Sequence, residues 1–143
     1  MMRYFIAGTF LLFIAACLNP PDYSVIPAIT LDSISTTDIT ANKDSLNFYI
    51  SFTDGDGDIG SETDSNLFIT DSRTGTRAGN KIPSITPDGK VKEISGQIVF
   101  TLSEIDSIPD GIKDSIYYYY TIQIADRAGN LSNEVNTPLI FEH

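Results

Sequence analysis

The residues best able to do chemistry in this chain form one short run, Asp54-Gly55-Asp56-Gly57-Asp58-Ile59-Gly60. Its three carboxylates alternate with other residues, and Glu62 and Asp64 follow. Calcium takes about six to eight hard oxygens and accepts them from a flexible loop. Asp at every second position, with Gly between, lets the backbone curl so that several carboxylates face one point. The same run also reads as a solvated turn whose carboxylates cap local amides. Like charges this close repel unless an ion bridges them. Asp54, Asp56 and Asp58 are therefore expected to hold a metal, calcium ahead of magnesium.

Over its first five positions the run matches an EF-hand loop. It departs at the sixth, where Ile59 replaces Gly, and at the twelfth, where Ser65 replaces Glu. No flanking helices are evident, so an EF-hand proper is not expected. A second run, Asp126-Arg127-Ala128-Gly129-Asn130, precedes the last expected strand. Asp126 either completes the metal shell, pairs with Arg127, or caps its own turn.

Other chemistries find few residues. The one histidine, His143, stands at the end of the sequence, and the one cysteine is Cys17. A Ser-His-Asp or Cys-His arrangement would hang on a terminal residue, and zinc lacks ligands. No catalytic residue is assigned and the chain is not expected to be an enzyme. A carboxylate-based hydrolase is the remote alternative. A net charge of −10 excludes nucleic acid as a partner, because phosphate binding needs a basic patch. Tyr117 and Tyr119 project from one face of a strand and are possible ligand contacts. They either stack on a sugar ring, making this a glycan-binding surface protein, or cover sheet surface.

Strands must position these residues. Residues 45–53 alternate strictly: Leu46, Phe48, Ile50 and Phe52 against Asn47, Tyr49, Ser51 and Thr53. Residues 115–125 alternate again, with Ile116, Tyr118, Tyr120, Ile122 and Ile124 on one face. Further strands are expected at 28–34, 67–70, 93–102 and 135–141, with Pro138 at an edge or bulge. One weak edge strand is expected within 73–90, and a crossing loop at 103–111. Seven short strands with turn residues between them predict an all-β, antiparallel sandwich.

The N-terminus sets the compartment. Arg3 is followed by an apolar run, Tyr4 to Phe13, too short to span a bilayer, which takes about 20 residues. Residues 1–16 thus read as a helical signal peptide. Ile14-Ala15-Ala16-Cys17 resembles the lipobox of bacterial lipoproteins, which implies lipidation of Cys17 and a membrane partner through that lipid. Residues 17–27, with Pro20, Pro21 and Pro27, read as a Pro-rich tether, and 28–143 as the sandwich.

Three stretches carry a wider likeness. They are Phe52-Thr53-Asp54 through Gly60; Ile124-Ala125-Asp126 through Asn133 with Thr137-Pro138; and Ile85-Thr86-Pro87-Asp88-Gly89-Lys90 leading to Ile94-Ser95-Gly96. Together they resemble uncharacterised Bacteroidota lipoproteins with an immunoglobulin-like, fibronectin III-like domain. The resemblance implies a seven-stranded immunoglobulin-like sandwich, lipid-anchored at the bacterial outer membrane. It leaves open the periplasmic face or the cell surface, since the tether carries one acid, Asp22. In that fold the loops after the second and sixth strands share one pole, which would gather Asp54, Asp56, Asp58 and Asp126. The tether would join the domain at the same pole. The function expected is a non-catalytic structural or interaction module of the envelope, with an unidentified envelope protein or glycan as partner.

Overall fold

A computed structural model of the protein describes residues 22–40, 42–87, 91–103, 105 and 115–143. The expected signal peptide, Cys17, the first part of the tether and most of the 103–111 loop lie outside the described residues. Within them the chain is all-β, with no helix. Ten strands follow in order: β1 (Ala28–Ile34), β2 (Asp38–Ile39), β3 (Leu46–Asp54), β4 (Leu67–Asp71), β5 (Arg77–Asn80), β6 (Ile94–Leu102), β7 (Ile116–Tyr118), β8 (Tyr120–Ile124), β9 (Val135–Asn136) and β10 (Ile140–Glu142).

The strict alternation of β3 does what period 2 requires: every second side chain, from Leu46 to Asp54, is buried. β3 is the centre of a three-stranded sheet, β1-β3-β6, and pairs antiparallel with both neighbours. Its ladder with β6 runs unbroken from Leu46 opposite Leu102 to Asp54 opposite Ile94. The β1 ladder shifts register between Leu31 and Ser33. There Asp32 accepts hydrogen bonds from Ser51 Oγ at 2.6 Å and Gln97 Nε2 at 2.8 Å, which hold its carboxyl below the ordinary carboxylate range.

A second sheet has the order β5-β4-β8-β9, and a third the order β2-β10-β7, in which only β10 and β2 run parallel. The ten strands cover the seven stretches expected from sequence. The two C-terminal stretches are each divided, and the two-residue β2 is additional. The first division falls at Tyr119, whose N–H donates to Ser72 Oγ at 3.0 Å while its carbonyl accepts from Ser72 N–H at 3.1 Å. The second falls at Thr137-Pro138-Leu139, where Pro138 has no N–H to give a ladder. Thr137 bridges the gap: its N–H donates to Tyr120 O at 2.9 Å and its Oγ1 accepts from Tyr120 N–H at 3.0 Å.

The inward faces of all three sheets meet in one apolar cluster. Phe48, Ile50, Leu67, Ile122, Ile124 and Ile140 are fully buried there. Phe48 of β3 meets the Tyr120 ring of β8 edge-on at 5.9 Å, tying the first sheet to the second. A cluster of charged side chains is buried beside this core. Arg73, in the turn after β4, pairs with Asp71 at 2.6 Å and with the fully buried Glu142 at 2.5 Å. Its guanidinium also lies over the Tyr118 ring at 4.0 Å.

Candidate metal centre

Asp54 closes β3 on its inward face, so strand periodicity delivers a carboxylate to a position where a strand usually buries an apolar side chain. The chain then turns. Asp58 N–H donates to Asp54 Oδ2 at 2.9 Å, so the Asp54 carboxylate closes the loop four residues on. Gly57 takes a left-handed φ of 73°, and a Cβ there would stand 1.9 Å from Val91 O. Only glycine fits that approach. Ile59, fully buried, pins the far side of the loop to the core and bridges antiparallel to Asp126.

That bridge joins the two runs singled out by sequence. Arg127 N–H donates to Asp58 O at 3.2 Å, and Ala128 N–H to Asp58 Oδ2 at 3.0 Å. Asp126 in turn accepts from Asn130 N–H and Asn130 Nδ2, both at 2.7 Å. Arg127 Nη1 reaches Ser84 Oγ at 2.8 Å and Gly60 O at 3.3 Å. The result is a group of four carboxylates, Asp54, Asp56, Asp58 and Asp126. Each contributes one oxygen, and all four oxygens lie within 4.8 Å of one another. An ion with oxygens at about 2.3–2.6 Å, the calcium range, can touch ligands separated by twice that distance.

The capping reading accounts for part of this arrangement. Asp54 Oδ2, Asp58 Oδ2 and both oxygens of Asp126 accept local N–H groups. It does not account for the rest: Oδ1 of Asp54, Asp56 and Asp58 is buried in each case with no hydrogen-bond partner. Asp54 itself is fully buried and Asp126 nearly so. Buried oxygens without partners are costly, and more so when ionised. The electrostatics agree. Burial first, then the charges of Asp56, Asp58 and Asp126, push the Asp54 carboxyl up to about 6, against the opposing Asp58 N–H. Burial, then Asp126 and Asp56, push Asp58 up as well. A group of like charges held partly out of water, with three oxygens unsatisfied, fits a bound cation.

Glu62 and Asp64 stand apart from this group. Glu62 accepts from Ser84 N–H at 3.0 Å, and Asp64 takes the hydroxyls of Thr63 at 2.7 Å and Ser61 at 3.3 Å. Tyr117 and Tyr119 both face solvent, Tyr117 with 66% of its surface exposed. The Tyr117 ring lies against Phe141 at 5.0 Å, and Phe141 stacks on His143 at 5.7 Å. Sequence reasoning did not identify Asn130, which holds Asp126 through two bonds. The Asp-to-Asn spacing of four across a Gly was its signal, since such residues close turns on their own backbone. Compared with known proteins, the chain matches no family model, no curated protein and no solved structure.

Proposed function

We propose that this protein is a calcium-stabilised, non-catalytic module of the bacterial envelope, built as an immunoglobulin-like sandwich and anchored by lipid on Cys17. The carrying observation is the convergence of Asp54, Asp56, Asp58 and Asp126 with three buried, unpartnered oxygens. Calcium suits this site better than magnesium because three of the four donors, Asp56, Asp58 and Asp126, stand outside the strands, and calcium accepts flexible geometry where magnesium demands a near-ideal octahedron. The immunoglobulin-like reading is supported by strand order. β1-β3-β6 opposes β5-β4-β8-β9, and the loops after β3 and β8 meet at one end.

Ion binding to the folded state alone raises stability by linkage. Calcium at about 100 times its Kd adds about 2.7 kcal/mol, or about 10 °C in Tm for a domain of this size. Thermal unfolding in EDTA, in Ca²⁺ and in Mg²⁺ measures this. The expected result is a rise specific to Ca²⁺ that is reduced in Asp56→Asn. An equal Tm in EDTA and in Ca²⁺ would refute the reading.

A further inference from the structure

The glycines of the Asp54 loop do more than let it curl, because each is pressed against another segment. Gly55, between two of the four carboxylates, donates its N–H to Ser24 O at 2.8 Å. A Cβ on Gly55 would stand 2.2 Å from Tyr23 O, so the segment 23–25 lies directly on the loop backbone. Gly55 O accepts from Glu93 N–H at 3.1 Å. Glu93 completes the circuit: its carboxylate accepts from Tyr23 N–H at 2.5 Å. It does so from a left-handed φ of 54°, a conformation that is strained for a non-glycine residue. Gly57 is held as well, its carbonyl accepting from Thr86 Oγ1.

Loop, residue 93 and segment 23–25 therefore form one clasp, and its central piece is a backbone flanked by mutually repelling carboxylates. We propose that ion occupancy of the Asp54 loop controls whether segment 23–25 is docked on the domain. This rests on the metal reading above. With the ion bound, its two positive charges offset half the charge of the four carboxylates and bridge them, and Gly55 is held in place to grip Ser24 and Glu93. Without it, repulsion among Asp54, Asp56, Asp58 and Asp126 loosens the loop and the segment detaches. Little else holds the segment: Val25 and Ile26 are more than half exposed, and the Ile26 N–H bonds only the neighbouring Ser24 Oγ. Pro27 is buried and β1 begins at Ala28, so release frees residues 23–26 and lengthens the lead into the domain by about 14 Å at full extension. In a chain anchored upstream, calcium then sets how far and how rigidly the domain stands from its anchor.

Hydrogen exchange on the full chain tests this, with calcium binding measured separately by calorimetry. Expected in Ca²⁺ is exchange at least about tenfold slower at the Tyr23, Gly55 and Glu93 amides than in EDTA, with β3 and β8 little changed. Glu93→Ala is expected to keep calcium binding while Tyr23 loses its calcium-dependent protection. Calcium binding with unchanged exchange at all three amides would overturn the clasp and leave the metal centre standing. Absence of calcium binding would overturn both.

Discussion

Asp54 is the residue on which the proposed metal centre turns, and its protonation carries a signature. Its carboxyl is pushed up to about 6 in the fold, chiefly by burial, while an Asp in the unfolded chain titrates at about 3.9. The folded state therefore binds that proton more tightly than the unfolded state. A group displaced upward in this way favours folding fully below about pH 4, and the contribution is lost as pH rises through about 6. Asp58 is displaced in the same direction. In EDTA, Tm is thus expected to rise as pH is lowered from about 7 to about 5. Asp32, displaced downward, works against acid stability only at lower pH. Calcium inverts the trend because it requires the ionised carboxylates, so the Ca²⁺-induced shift in Tm narrows over the same window. Melting curves at three pH values with and without EDTA decide it. A metal-free Tm that falls on acidification from neutral pH would remove the electrostatic case for the site.

Elements are tied together by another buried charge. Arg73 reaches Asp71 at the end of β4, Glu142 in β10 and the Tyr118 ring in β7, so three strands from two sheets converge on one side chain. Removing one member of a buried ion pair strands its partner and costs about 3–5 kcal/mol. Arg73→Met, similar in length and uncharged, is expected to lower unfolding free energy by that amount in urea titrations. A loss under about 1 kcal/mol would mean that water reaches Asp71 and Glu142 easily. This cluster was not legible in the sequence. Arg73 lies in a Gly- and Thr-rich stretch without periodicity, and its partner Glu142 is 69 positions away. Strands with one buried face were legible: β1 matches its expected bounds and β3 is displaced by one residue, because alternation reports burial directly. Breaks within alternating stretches were not. At Tyr119 the pattern continues on both sides while the backbone pairs with Ser72, an exchange that side-chain periodicity does not register. The grouping of Asp54, Asp56 and Asp58 was legible from spacing, and that of Asp126 from strand order. The pressure of segment 23–25 on Gly55 left no trace in residue type beyond the glycine itself.

Across the whole molecule, 19 acidic residues face 9 basic ones, and four of the acids meet in one cluster. Folding must bring Asp54, Asp56, Asp58 and Asp126 together against their own repulsion unless an ion or salt screens it. Screening lengths fall from about 10 Å at 0.1 M salt to about 3 Å at 1 M. The metal-free protein is therefore expected to gain stability as NaCl rises over that range, with Tm climbing in EDTA. The calcium-loaded protein, with half of that charge offset and the carboxylates bridged, should gain less, so the two melting curves converge. Asp56→Asn separates local from global repulsion. It removes a single charge from a chain whose net charge is −10, which barely alters the global field, yet it takes a quarter of the charge from the cluster. At low salt in EDTA the variant should melt above the parent protein, and at high salt the two should coincide. If the variant instead melts below its parent at every salt concentration, the Asp56 carboxylate is a structural cap, and repulsion in this cluster does not govern the stability of the metal-free fold.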